Sequence, residues 1–435
     1  MNFDLIINAG TVLTCDDNNA WILKNKSIGI RDGIIEGIAD TSSSNWTAKN
    51  IIDATNKLVM PGLVNAHTHL PMNFFRGLAD DLPFQEWLFQ YILPLEARLV
   101  SPDFVRMGTE LAALELISLG TTSICDMYYF EDIVGDVLDK AGLRGCVGES
   151  IADFPMPDCK DAPKNNYKIL DKMRERFSNN PRIRTVLAPH APYSCSDETL
   201  KEAMAYAEKY NLNFTIHVSE TKHEVEECVK KYGKSPVKRL HDLGFLKYKS
   251  IFAHGVHLDD ADIKLIADSK ISIAYNPESN MKLGSGSCRV PALLKQGVTL
   301  GIGTDSVASN NDLNLFKEMD TGAKLQKLVN SDNTALTAKE CLKMATFKGA
   351  EALHLEKLGK IRNGYFADLI VLDMRKPWLE PQHDILAQLV YSCNGSEVET
   401  VICHGKVLME NKEFKTLDQN KIFSNAASYR QKMNF

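Results

Sequence analysis

The sequence predicts an α/β chain built as a closed (β/α)8, TIM-like barrel, with a small β-sandwich assembled jointly from the two ends of the chain. Three observations predict it. The 435 residues exceed one ordinary domain but suit a barrel of about 250 residues with an accessory unit. Both ends read as β-structure without a long amphipathic helix, whereas the middle alternates short β-branched runs with helical segments, the mark of parallel βα units. Roughly eight such runs can be counted, the number a closed barrel needs.

The N-terminal β-segments are Phe3 to Thr14, Ser27 to Ile38 with a hairpin turn at Asp32-Gly33, and Ile51 to Val59. The same style returns at Ala367 to Asp373 and Val398 to Cys403, followed by a turn-like His404-Gly405-Lys406. Residues 1–60 with 366–435 are therefore expected to form a composite β-sandwich, and 61–365 the catalytic barrel. The expected barrel strands are Leu63 to His67, Thr121 to Asp126, Arg144 to Glu149, Thr185 to Pro189, Asn213 to Val218, Ile251 to His254, Ile271 to Tyr275 and Thr299 to Gly303. Helices between them include Asp103 to Leu119, Asp197 to Lys209 and Leu293 to Gln296. Short repeats and low-complexity stretches are absent from the sequence.

Composition narrows the class. With 44% hydrophobic and 24% charged residues, the chain has the balance of a globular protein rather than of a disordered or fibrous one. A formal net charge of -6 offers no basic face, which argues against nucleic acid and membrane partners. The run Lys230-Lys231-Tyr232-Gly233-Lys234 reads as a solvated face where a helix passes into a loop. Ten cysteines without a CxxC pair read as free thiols of a reducing compartment. The N-terminal stretch carries Asp4 and lacks a basic leader, and no apolar run is long enough to span a bilayer, so a cytoplasmic location is expected.

Polar residues gather at the ends of the expected strands, the face on which barrels build active sites. In Asn65-Ala66-His67-Thr68-His69 the histidines are two positions apart on an extended strand, so both imidazoles point to one side and can share a metal. Such a pair also occurs by chance. Further strand ends add to it: Phe214-Thr215-Ile216 leads into His217 and then Val218-Ser219-Glu220, Ile251-Phe252-Ala253 into His254, and Leu300 to Thr304 into Asp305. Singly, each has an ordinary reading as a core histidine or a helix-capping aspartate. Together, His67, His69, His217 and Asp305 make three imidazoles and a carboxylate, a set suited to Zn²⁺ and also to Fe²⁺, with a position left for water.

These residues resemble a known family. Pro61-Gly62-Leu63-Val64-Asn65-Ala66-His67-Thr68-His69, with His217, His254, Thr304-Asp305-Ser306, and Gly359-Lys360-Ile361 through Ala367-Asp368-Leu369, is similar to the amidohydrolase superfamily across nearly the whole chain. Within it, Arg76-Gly77-Leu78-Ala79-Asp80-Asp81, Leu93-Pro94-Leu95-Glu96, Pro189-His190-Ala191-Pro192-Tyr193-Ser194 and His217-Val218-Ser219-Glu220 resemble the methylthioadenosine/S-adenosylhomocysteine deaminase branch. The resemblance implies one divalent metal, zinc before iron, held by His67, His69, His217 and Asp305. It implies that water activated by the cation attacks purine C6 of an adenosine-type nucleoside, yielding the inosine analogue and ammonia. In those roles Asp305 accepts the water's proton, His254 orients the nucleophile, and Glu220 is the general acid/base that protonates the ring nitrogen.

The resemblance also assigns substrate contacts. His190 ends the fourth strand, where binuclear relatives carry a lysine, so a single metal is expected, with His190 donating to the ring or sugar; otherwise it is a loop histidine held between Pro189 and Pro192. Glu96 matches a residue that accepts from ribose hydroxyls; otherwise it is an exposed helix-start glutamate paired with Arg98. Trp87 and Phe84 are candidates for the pocket wall, although aromatics at helical spacing commonly serve packing. Branch members that use S-adenosylhomocysteine have an arginine near Gly148 or Glu149. A glutamate there would repel the amino acid's carboxylate, which favours neutral 5′-substituents. The expected partner is a small purine nucleoside, and a homo-oligomer is compatible with the sequence. Competing readings are an amidohydrolase that deaminates or dechlorinates a free ring such as guanine, a pterin or a triazine, and a non-catalytic barrel scaffold.

Overall fold

A computed structural model describes residues 1–42, 45–163 and 166–433. The N-terminal strands are β1 (Asn2–Leu13), β2 (Ile22–Arg31), β3 (Ile34–Asp40) and β4 (Thr47–Pro61). The barrel strands follow as β5 (Leu63–Thr68), β6 (Thr121–Tyr128), β7 (Arg144–Ile151), β8 (Ile183–Pro189), β9 (Phe214–Val218), β10 (Ser250–His254), β11 (Ile271–Tyr275) and β12 (Leu300–Ile302). The tail adds β13 (Leu369–Leu372), β14 (Val398–Cys403), β15 (Lys406–Glu410) and β16 (Glu413–Phe414).

The terminal strands form one mixed sheet in the order β16-β15-β14-β13-β4-β1-β2-β3. Alternation along each strand gives it two apolar faces. Leu5, Ile7, Ile28, Ile30, Val59, Leu369 and Val371 make a core of their own, while Leu58, Met60, Ile370, Leu372 and Val401 turn the other way into the main core. The sheet curls until the β2–β3 turn meets the β14–β15 turn: Ala367 N–H donates to Gly33 O at 2.8 Å and Gly405 N–H to Ala367 O at 3.0 Å. Gly33 permits that approach. Its φ is 77°, and a Cβ there would lie 2.8 Å from the His404 carbonyl oxygen. β2 begins at Ile22, earlier than the polar run Lys24-Asn25-Lys26 suggested, because those residues pair with β1 on a solvated edge.

In the barrel, β5 through β12 run parallel in sequence order. Every residue of β5, β6, β7, β9, β10, β11 and β12 is buried, as parallel strands covered on both faces must be. Closure between β12 and β5 falls at the candidate site. Asp305 N–H donates to His67 O at 3.0 Å, and the Asn65 side chain bonds both the hydroxyl and the N–H of Thr304, at 2.8 and 3.1 Å. Gly303 makes this possible, since a Cβ there would sit 2.8 Å from His67 N.

The helices Pro102–Ser118 and Asp197–Tyr210 match the expected ones and start on Ser101 and Ser196, whose hydroxyls accept from Phe104 N–H and Thr199 N–H. The tail also carries helices Ile385–Tyr391 and Gln419–Lys432. The second lies against the barrel, with Tyr429 5.3 Å from Phe74 and 6.3 Å from Phe104 between ring centroids. Lys230, in the last turn of helix Lys222–Tyr232, has a side chain 76% exposed, a solvated face. All ten cysteines are buried thiols, none of them joined in a disulfide. Among the described residues, no helix is long and apolar enough to cross a membrane.

Candidate active site

The strand ends converge. His67 and His69 leave β5, His217 leaves β9, His254 ends β10 and Asp305 follows β12. The ring centroid of His67 lies 4.9 Å from those of His69 and His217 and 5.5 Å from that of His254. His67 Nε2 and His69 Nε2 stand 3.5 and 3.3 Å from Asp305 Oδ1, and His69 Nε2 is 3.3 Å from His217 Nε2. Ligand atoms of His67, His69 and His217 lie within 4.8 Å of one another, as do those of His67, His254 and Asp305.

The arrangement fits a cation. His69 Nδ1 bonds the Met127 carbonyl, His217 Nδ1 the His190 carbonyl at 2.7 Å, and His254 Nδ1 the Asn280 amide oxygen at 2.9 Å. Each Nδ1 is therefore the protonated nitrogen, and each Nε2 lone pair faces the centre. Both ring nitrogens of fully buried His67 lack a hydrogen-bond partner among the described residues. Burial keeps His217 well below its ordinary pKa and lowers His67 to about 4, so both offer neutral nitrogens. At Asp305 burial opposes ionisation, but the imidazoles of His67, His69 and His254 gathered around it outweigh burial and hold the carboxyl well below the usual range. Burial likewise lowers His69, yet Asp305 and Asp126 raise it to about 9; the field at this point favours positive charge.

The backbone is bent to deliver these groups. Ser219, His254 and Asp305 adopt left-handed φ values of 55°, 75° and 58°, uncommon for non-glycine residues and typical of functional turns. Ser219 N–H and Glu220 N–H both donate to the Glu224 carboxylate, at 3.0 and 2.8 Å. The helix cap is Thr221, which accepts from Glu224 N–H, so Glu220 is free of capping and lines the cavity. Its Oε2 lies 3.8 Å from His254 Nε2, which is 4.0 Å from Asp305 Oδ2. Burial raises the Glu220 pKa.

The other expected residues face the same cavity. His190 lines it, with Nδ1 2.9 Å from Ser194 Oγ, and burial lowers its pKa to about 4. Glu96, in helix Leu93–Leu99, is 5% exposed rather than a surface glutamate. Tyr128 and Tyr129 donate to its two oxygens at 2.7 and 3.3 Å, and burial pushes its pKa up to about 7. Phe84 and Trp87 are in the wall.

Glu149 requires a correction. It is fully buried and turned away from the cavity, accepting from Glu131 N–H at 3.0 Å, and Ser150 is the residue of β7 that lines the wall. A repulsion of substrate carboxylate by Glu149 is therefore not what this fold provides. The sequence reading also missed residues that hold the site. Ser279 and Ser309 donate to Asp305 Oδ2 at 2.6 and 3.0 Å, and Asn280 orients His254. The polar run Asn276-Pro277-Glu278-Ser279-Asn280 directly after β11 was the available signal, because it too leaves the catalytic end of a barrel strand.

A closed barrel whose mouth gathers imidazoles and a carboxylate around one point defines a class, the barrel hydrolases that use a divalent cation. The chain belongs to one family of that class, the amidohydrolase family, which it matches over residues 58–408. It is 44% identical over 380 residues to the 5-methylthioadenosine/S-adenosylhomocysteine deaminase of Caldanaerobacter subterraneus subsp. tengcongensis, covering 86% of each chain. To the enzyme of the same name from Aquifex aeolicus it is 41% identical, covering 99% of this chain and 98% of the other. A solved adenosine deaminase from Xanthomonas campestris with bound zinc superposes with a TM-score of 0.96 at 36% identity, covering 99% of both chains.

Proposed function

We propose that the chain hydrolytically deaminates adenosine-type nucleosides, converting the 6-amino purine into its 6-oxo analogue and ammonia, with one Zn²⁺ held by His67, His69, His217 and Asp305. When bound, the cation supplies the Lewis acidity that makes water a usable nucleophile at neutral pH. Asp305, ionised and steadied by Ser279 and Ser309, takes the proton released by the attacking water. His254, its Nδ1 fixed by Asn280, is left with Nε2 free to orient the nucleophile. Glu220 lies across from Asp305, with His254 between them. Burial keeps it protonated to higher pH, so it can deliver a proton to the ring nitrogen beside C6 and then help ammonia leave. His190, neutral and held by Ser194, contacts the ring or sugar.

The observation that carries the nucleoside reading is Glu96. A carboxyl buried in the cavity wall one tyrosine away from the histidine cluster, with Tyr128 and His69 ring centroids 6.3 Å apart, has acceptor oxygens for the two hydroxyls of a sugar diol. The names of the relatives agree with it. The test is ammonia release by metal-replete protein from methylthioadenosine, S-adenosylhomocysteine, adenosine, adenine and guanine side by side. Nucleoside-selective release is expected, with Glu96→Ala raising KM for nucleosides by about tenfold or more. Turnover of free bases alone would overturn the reading.

A further inference from the structure

The turn that delivers Glu220 is held by a carboxyl that lies outside the catalytic cavity. Thr221-Lys222-His223-Glu224 opens the helix Lys222–Tyr232 with the sequence of a capping box, in which the glutamate would accept from the N–H of the capping threonine. Half of that exchange is made: Thr221 Oγ1 accepts from Glu224 N–H at 3.1 Å. The other half goes elsewhere. Glu224 passes over Thr221 and takes one N–H on each oxygen, that of Ser219 on Oε1 at 3.0 Å and that of Glu220 on Oε2 at 2.8 Å. From the other side, Val256 N–H and His257 N–H, just beyond His254, donate to Ser219 O at 3.0 and 2.9 Å. Ser219 is thus gripped at both its N–H and its carbonyl, and this grip sustains its left-handed φ of 55°.

The side chain of Glu220 has no such hold. Among the described residues its carboxyl makes no hydrogen bond, and it stands 3.8 Å from His254 Nε2. Where it points is decided by its backbone, and Glu224 fixes that backbone. We propose that Glu224 is a positioning residue for the general acid: by holding Ser219 N–H and Glu220 N–H it sets the Glu220 carboxyl where proton delivery to the purine ring works. The inference rests on the role of Glu220 proposed above. Misplacing a reacting group by about 1 Å costs on the order of 100-fold in rate, so a clamp of two hydrogen bonds has a large effect. Glu224 acts only through Glu220, being 6% exposed and absent from the lining of the catalytic cavity. Both of its oxygens accept well only in the carboxylate; an amide in its place keeps one acceptor and turns an NH2 against the other N–H. Burial pushes its pKa up to about 7, so the carboxylate prevails at pH 8.

The experiment is a double-mutant cycle on the metal-replete protein at pH 8, with Glu224→Gln, Glu220→Gln and the two together, read as ammonia release from methylthioadenosine, adenosine and S-adenosylhomocysteine. Glu220→Gln is expected to lower kcat by about 10²–10⁴-fold, a rate still readable at raised enzyme concentration. Glu224→Gln alone is expected to lower kcat by about 10–100-fold with KM and bound metal unchanged. Added to Glu220→Gln, it is expected to lower kcat by less than about twofold, because the clamp then has no acid to aim. Should Glu224→Gln not fold, Glu224→Asp keeps the charge on a stem one carbon shorter, and a loss confined to the protein that retains Glu220 is expected there too. The same factor lost in both backgrounds would make Glu224 a prop of its helix. That result, a loss carried by KM or by metal, or an unmoved kcat each overturns the assignment while leaving deamination intact. A Glu220→Gln protein as fast as the unmodified one, or no nucleoside deaminated, would overturn the parent reading, and with it this one.

Discussion

Asp305 joins more of the site than any other side chain: His67 and His69 meet one oxygen, Ser279 and Ser309 the other. Asp305→Asn keeps the shape and removes the charge, so bound metal measured by elemental analysis should fall together with kcat. Asn280→Ala acts differently, because it frees the His254 ring without touching the ligand set. A loss of about 10–100-fold in kcat is expected, with metal content and KM little changed; a matching loss of metal would show Asn280 to be a structural prop. Glu96 makes a pH prediction. Its folded pKa, raised by burial to about 7, lies above the unfolded value, so its contribution to stability is complete below the unfolded pKa and is lost as pH rises through about 7. Glu96→Gln should therefore flatten the fall in stability between roughly pH 4.5 and 7 by about 3 kcal/mol, readable by urea denaturation at several pH values.

At the scale of elements, short helices set the catalytic groups. The helix Pro277–Lys282 presents Ser279 to Asp305 and Asn280 to His254, while Lys282 Nζ reaches Asp80 Oδ1 at 2.6 Å on the segment that carries the pocket wall. One turn of helix thus ties the histidine cluster to the wall over it. The terminal sheet is joined to the barrel by a buried fork: Arg144 Nε and Nη2 donate to the two oxygens of Asp368 at 2.9 and 3.1 Å. Removing one partner leaves the other charged and buried, so Arg144→Met should destabilise by about 3–5 kcal/mol in urea unfolding, and Arg144→Met with Asp368→Leu by much less. Equal losses in the single and double variants would mean the pair contributes packing alone.

Across the whole molecule, the proposed cation site and the barrel closure coincide, since the bond from Asp305 N–H to His67 O links the last strand to the first. A metal bound by His67 and Asp305 therefore braces the seam of the barrel as well as the chemistry. Chelation should lower Tm by several degrees in a manner reversed by added zinc, and the gain on zinc addition should vanish in His67→Ala. Among the described residues, the terminal sheet contributes none to the lining of the catalytic cavity. Its own core of Leu5, Ile7, Ile28 and Leu369 shares no residue with the catalytic cavity, so substitutions there should move stability without moving KM.

The sequence by itself determined the local patterns. Alternating and β-branched runs, turns such as Asp32-Gly33 and serine caps follow from covalent geometry and hydrogen-bonding needs within a few residues, and these sufficed for the barrel, the terminal sheet and the polar strand ends. Tertiary structure alone decided which way a side chain faces where both sides of a strand are buried. In β7 every residue is buried, alternation carries no signal, and the pocket position falls to Ser150 rather than Glu149. Only packing showed that Glu96 lies buried between two tyrosines, that Ser279 and Asn280 reach the catalytic groups, and that Gln419–Lys432 folds back onto the barrel. Those contacts join residues far apart in the chain, and their distances are set by how whole elements pack rather than by the order of neighbouring residues.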